Sequence, residues 1–200
     1  MKKRLWILLL AGLMLAGCGG NSDSGNSGSQ NVGNVTGESG NEAGVNGTEN
    51  TTEQQAYVLE FTDAVTTEGE TMSSDVFANS KVTMINVWAT FCGPCINEMP
   101  DLGELAGEYD AADFQLIGII ADVMEGDADM LAEAKAIIEE TGADYPHLLL
   151  NEELYMNLVG ASDSVPTTYF FNQKGELLGY LVGAQSKEGW EEIINGLLEE

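Results

Sequence analysis

Two regimes of apolar and polar residues meet near residue 56 of the chain. Beyond it, clear periodicities begin. Residues 57–62 (YVLEFT) alternate like a strand, and residues 71–75 read as a strand end running into a capped helical turn, together an N-terminal extension. Residues 82–89 (VTMINVWA) are rich in β-branched and aromatic side chains, the composition of a strand covered on both faces. Residues 95–109 have a helical pattern with Pro100 inside it, a site for a kink. Residues 114–121 (FQLIGIIA) form a second buried strand, and residues 127–140 a helix with Met130, Leu131, Ala134, Ile137 and Ile138 on one face. A brief extended segment at 148–150 precedes a short helix at 152–158. Residues 167–171 and 177–182 are strands flanking the turn Asn172-Gln173-Lys174-Gly175, a hairpin signal. A helix at 186–198 closes the chain, with Trp190, Ile193, Ile194 and Leu197 inward. This order predicts an α/β domain with parallel crossovers ending in an antiparallel pair. The expected result is a mixed central β-sheet with helices on both faces.

The first regime has a different logic. Residues 1–17 open with Lys2, Lys3 and Arg4, continue through LWILLLAGLMLA and end on small residues before Cys18. That is the three-part build of an export signal, too short for a comfortable spanning helix. From Gly19 to about Gln55 the chain is Gly, Ser, Asn, Thr and Glu with scattered valines and no aromatic residue. Such a stretch cannot bury enough apolar surface to offset its backbone entropy. The expected organisation is a signal at 1–17, a flexible tether at 18–55 and a folded head at 56–200.

Charge narrows the partners. Removal of the signal takes three of the seven basic residues, leaving four against 33 acidic ones, a charge of −29. Phosphate recognition depends on clustered Lys and Arg, so nucleic acid is excluded as a partner. Most of these carboxylates read as a solvated face that keeps the protein soluble and repels anionic neighbours.

The candidate chemistry lies in WATFCGPCINEMP, residues 88–100, where Cys92 and Cys95 flank Gly-Pro. A structural zinc needs four ligands, but the head has no other cysteine and His147 is its single histidine. A structural disulfide is weakly supported, because the loop it would close is nearly minimal. A redox role fits the position. Cys92 follows a buried strand and precedes a helix, so its sulfur meets free N–H groups and the positive end of the helix dipole. In such motifs a thiol pKa of about 8.5 falls to between about 3.5 and 7.5. Cys92 is then the nucleophile, and Cys95, one turn into the helix and more shielded, is the resolving thiol. Pro94 in the first turn lacks an N–H that would be unsatisfied there in any case.

Residues 88–95, WATFCGPC, resemble the active site of the thioredoxin superfamily, and the following INEMP is similar to its extracytoplasmic, membrane-tethered TlpA/ResA-type branch. Residues 164–170, SVPTTYF, resemble the cis-proline loop of that superfamily, and LAGC at residues 15–18 resembles the lipobox of bacterial lipoproteins. The resemblance implies a thioredoxin-like fold, a redox-active Cys92–Cys95 disulfide, no metal and no cofactor. It places cis Pro166 opposite the disulfide, with the Val165 backbone pairing with bound substrate and Thr167 in the same substrate loop. Trp88 is expected beside the disulfide and Phe91 on a hydrophobic docking surface. Asn86 stands where cytosolic thioredoxins carry a buried acid, and Glu98, three residues after the second cysteine, matches the glutamate of the tethered branch. Glu98 is the expected tuner of the thiols and shuttle for protons. Cys18 becomes the lipidated first residue of the mature chain. His147 reads as a strand-end or surface residue, and the methionines as signal and core filling.

The resulting expectation is a monomeric protein-disulfide reductase, lipid-anchored outside the bacterial cell membrane. Its partners are disulfide-bearing exported proteins, apocytochrome c among the options, and a membrane thiol-electron donor. The alternatives are a disulfide-forming oxidase and a non-enzymatic lipoprotein that binds a ligand or partner. Gly-Pro between the cysteines matches thioredoxin, a reductant near about −270 mV, rather than oxidising relatives near about −120 mV. A peroxidase needs an arginine beside its cysteine, and the only arginine is Arg4 in the signal.

Overall fold

The computed structural model describes residues 56–199; the expected signal, the tether and Cys18 lie outside the described residues. Two short strands, β1 (Ala64–Val65) and β2 (Thr71–Met72), pair antiparallel, and a 3₁₀ turn at Ser74–Asn79 follows. Ser73 caps that turn by accepting from the Asp75 N–H. The main sheet has five strands in the order β5-β4-β3-β6-β7. Its centre is β3 (Val82–Trp88), buried at every position, which explains why its sequence is not alternating. It pairs parallel with β4 (Phe114–Met124) and antiparallel with β6 (Thr167–Asn172). The edges are β5 (His147–Leu150), parallel to β4, and β7 (Leu177–Val182), antiparallel to β6.

Helices α1 (Gly93–Glu108) and α2 (Ala128–Thr141) cross from β3 to β4 and from β4 to β5. With α4 (Lys187–Leu198) they cover one face, where Met99, Leu102, Leu105, Ala134, Trp190 and Ile194 meet Met84 and Phe170 from the sheet. The other face is closed by α3 (Glu152–Asn157) and the N-terminal extension, through Leu59, Phe61, Phe77 and Leu154. Each fully buried Leu or Phe of this kind contributes about 1.5–3 kcal/mol. The contact of α1 with α2 needs Gly103, because a Cβ there would lie 2.3 Å from the Gly142 carbonyl oxygen at the end of α2.

The sheet is mixed and has helices on both faces, as the element order predicts. Three details differ from expectation. Residues 57–62 are not a strand: they make a single bridge, Val58 to Glu176, although Leu59 and Phe61 are buried and Glu60 and Thr62 exposed. The segment ties down the β6–β7 turn instead, with the Leu59 N–H donating to the Gly175 carbonyl at 2.9 Å and the Leu177 N–H to the Tyr57 carbonyl at 2.8 Å. Alternation therefore reported burial but no ladder. Helix α1 starts at Gly93 rather than Cys95, because Cys92 is its N-cap, and it runs unbroken through Pro100. His147 is a strand-end residue, yet it is 1% exposed and not on the surface.

Candidate active site

The loop from β3 to α1 is pinned before the chemistry begins. The Asp122 carboxylate accepts from the Thr90 N–H at 3.1 Å and from its hydroxyl at 2.6 Å, and the Cys92 N–H donates to the Ala89 carbonyl at 3.0 Å. Cys92 and Cys95 form a disulfide with their Cα atoms 5.3 Å apart. Cys92 Sγ accepts the Cys95 N–H at 3.2 Å, so the sulfur takes one of the unpaired donors of the helix N-terminus. Cys95 is completely buried and Cys92 is 5% exposed, which makes Cys92 the sulfur that a partner reaches first. Phe91 stands beside it at 78% exposure.

The 164–170 segment meets this site from β6. The Val165–Pro166 peptide is cis, and the Pro166 carbonyl accepts from the Gly183 N–H at 2.8 Å. Val165 and Phe91 line one cavity of about 280 Å³, so the cysteine loop and the proline loop share a recess. Two of the expected site residues are fully buried. Thr167 has no exposed surface; its hydroxyl donates to the Ser164 carbonyl at 2.7 Å and pairs with the Ser162 hydroxyl at 2.8 Å, holding the loop shut from within. Trp88 also has no exposed surface, because the ring completes the apolar core that holds both cysteines. Its indole N–H donates to His147 Nδ1 at 3.1 Å.

His147 Nε2 lies 3.0 Å from the Ala143 carbonyl, an arrangement that assigns the ring proton to Nε2. Burial pushes the imidazole down to about 4, so it is neutral at neutral pH. The ring occupies space left by Gly118 on the paired strand, where a Cβ would sit 2.2 Å from Nδ1.

Glu98 projects from α1 into the interior at 3% exposure. Its Oε1 accepts from the Asn86 amide of β3 at 3.1 Å, and its Oε2 from the Gln185 N–H at 3.1 Å. Asn86 also donates to Thr168 Oγ1 of β6 at 3.0 Å. The start of α4 is held against α1 for this purpose. Lys187 places its ammonium 2.7 Å from Glu104 and 2.6 Å from Glu108, and its N–H donates to Asp101. Burial pushes the Glu98 carboxyl up to about 7, against the opposing pull of the Gln185 and Asn86 donors. The Trp190 indole N–H lies near enough to add to that pull but outside hydrogen-bond geometry.

The structure thus brings Phe91, next to Cys92, and Val165, next to Pro166, to one recess, and buries Glu98 on α1 one turn beyond Cys95. Asp122 and the Trp88–His147 pair were missed in the sequence. Asp122 reaches Thr90 from a stretch where the β4–β5 register shifts, between Ile120 and Met124, and no local pattern marks such a shift.

Known proteins share the sequence pattern and the fold. The thiol-disulfide oxidoreductase ResA of Halalkalibacterium halodurans is 26% identical over 116 residues, covering 57% of this chain and 61% of the relative. The thioredoxin-like protein YneN of Bacillus subtilis is 30% identical over 118 residues, covering 59% and 66%. The match therefore spans about three-fifths of the ResA chain and slightly more of YneN. A solved thioredoxin-family thiol:disulfide interchange protein from Chlorobium tepidum TLS superposes with a TM-score of 0.59 at 26% identity, covering 72% of this chain and 96% of that one. The fold is thioredoxin-like. Residues 53–179 match the AhpC/TSA family, and the chain belongs to it.

Proposed function

We propose that the protein is a thiol-disulfide oxidoreductase that reduces disulfides in exported proteins and is held outside the cell membrane by a lipid on Cys18. The observation that carries this reading is the Cys92–Cys95 disulfide at the N-terminus of α1, with Cys92 the more accessible sulfur and a buried carboxylic acid one turn beyond Cys95. In the dithiol form, the Cys92 thiolate attacks one sulfur of a partner disulfide, and the other sulfur leaves as a thiolate that takes up a proton. Cys95 then gives up its proton, attacks Cys92 Sγ and expels the partner's second thiol. Two electrons have passed to the partner, and the Cys92–Cys95 disulfide is regenerated. Glu98, near neutral in its affinity for protons, receives and returns the Cys95 proton. The Val165 backbone aligns the partner chain beside Phe91. A membrane thiol donor of two electrons restores the dithiol, and the CxxCH cysteines of an apocytochrome c are one substrate option.

The test is a Cys95→Ser variant, which stops the cycle at the mixed disulfide. Partner proteins are expected to accumulate covalently on Cys92 in cells, and an empty trap overturns the assignment. Equilibration of the purified protein with glutathione sets the direction of electron flow. A potential near about −270 mV supports a reductase, and one near about −120 mV an oxidase. Cys18→Ser is expected to move the protein from the membrane fraction to the soluble one.

A further inference from the structure

Two cavities meet across residues 162–164. The one of about 280 Å³ runs from Phe91 and Val165 to Tyr169. The other, of about 400 Å³, shares Ser162, Asp163, Ser164 and Tyr169 with it and continues to Tyr57, Tyr180 and Val182. Tyr169 and Tyr180 face each other across β6 and β7 with ring centroids 5.8 Å apart. The outer strand β7 is unusual in what it exposes. Leu178, Tyr180 and Val182 are 41%, 65% and 55% exposed, so alternate positions of an edge strand carry apolar groups where solvent would favour polar ones.

We infer that the larger cavity is a specificity site for the partner protein, resting on the oxidoreductase reading above. Its occupant is an aromatic or long aliphatic side chain from an extended, neutral or basic segment whose cysteine is bonded to Cys92. Continuity carries the argument first. A chain joined to Cys92 leaves past Phe91, and the recess that Phe91 lines with Val165 borders the tyrosine-lined cavity along Ser162, Asp163, Ser164 and Tyr169. Charge carries it second. Asp163 is the one charged residue lining the larger cavity, and the chain bears a net charge of −26. An acidic segment is repelled, whereas a Lys or Arg beside the inserted side chain pairs with Asp163. The same charge opposes a second copy of this chain as the occupant.

A double-mutant cycle tests the inference on the full chain in its dithiol form. The substrates are disulfide peptides that carry either Trp or Ala at successive positions around the cysteine, and the variants are Tyr180→Ala and Val182→Ser. The wild type is expected to prefer Trp in one register by about tenfold in kcat/KM, and both variants to lose that preference. Each readout is a ratio between two peptides on the same protein, so partial unfolding does not imitate it. Equal rates for every peptide, or a preference kept in both variants, overturns the inference. A wild-type dimer that either variant dissolves assigns the cavity to a second copy and overturns it too. If the wild type exchanges disulfides with no peptide and not with glutathione disulfide, the oxidoreductase reading itself fails and takes this one with it.

Discussion

Glu98 is one of 33 acidic residues, and nothing in its local composition separates it from the others. Only its spacing from Cys95, read through a family resemblance, singled it out. The structure supplies the physical reason, a carboxyl at 3% exposure with two hydrogen-bond donors and no cation. The unfolded carboxyl titrates near 4.5 and the folded one near 7, so the folded chain keeps this proton to higher pH. The stability it contributes is fully present below about 4.5 and is lost as pH rises through 7. His147 acts in the opposite sense. Its folded pKa is depressed from 6.5 to about 4, so its contribution is present above 6.5 and lost as pH falls through 4. Glu98→Gln removes only the first effect. Relative to the variant, the wild type is expected to lose on the order of 2 kcal/mol between about pH 5 and pH 8, measured by urea unfolding of the oxidised proteins. Curves that stay parallel across that window contradict a buried, titrating Glu98. In the dithiol form, the rate of alkylation against pH is expected to lose an inflection near 7 in Glu98→Gln.

Among the elements, the two central strands were the most legible, because β3 and most of β4 are covered on both faces and their β-branched, charge-poor sequences say so. The periodic pattern alone puts the α1 start two residues late, although Pro94 is already expected in the first turn. A cysteine is not an ordinary N-cap, and its sulfur acquires that role only by accepting the Cys95 N–H. The β4–β5 pair hides a tighter constraint. Gly118 opposes His147 in register, and the imidazole fills the space of the missing side chain while it accepts from Trp88. Neither a glycine in a strand nor a lone histidine reveals this fit, since each makes sense only once the register is known. Gly118→Ala forces the ring away, and overpacking of this kind costs about 1–3 kcal/mol. Exposed Gly107 near the end of α1 has open space at its Cβ position, so Gly107→Ala is expected to be neutral or slightly stabilising. Denaturant midpoints of the two variants check the contrast. A Gly118→Ala midpoint equal to that of Gly107→Ala means that the ring is not confined as described.

For the whole molecule, net charge was the most direct reading of the sequence, while the use of its few cations required the structure. Among the described residues, Lys81 pairs with Asp113, Lys135 with Glu68 and Lys187 with Glu104 and Glu108. Three of the head's four lysines are therefore already engaged, and the large surplus of carboxylates has no counter-charge within the fold. Exposed pairs of this kind contribute little by themselves. The surplus acts collectively, since a net charge far from zero disfavours the compact state by self-repulsion. The Debye length falls from about 30 Å at 0.01 M to about 8 Å at 0.15 M ionic strength, so modest salt removes most of that repulsion. The unfolding temperature at neutral pH is expected to rise by several degrees over this range of sodium chloride and then to level off. Salt effects that act through exclusion from the surface lack this early plateau and continue to grow into the molar range. A midpoint that falls with the first additions of salt would mean that the lysine pairs outweigh the unpaired carboxylates, reversing the balance drawn from the sequence.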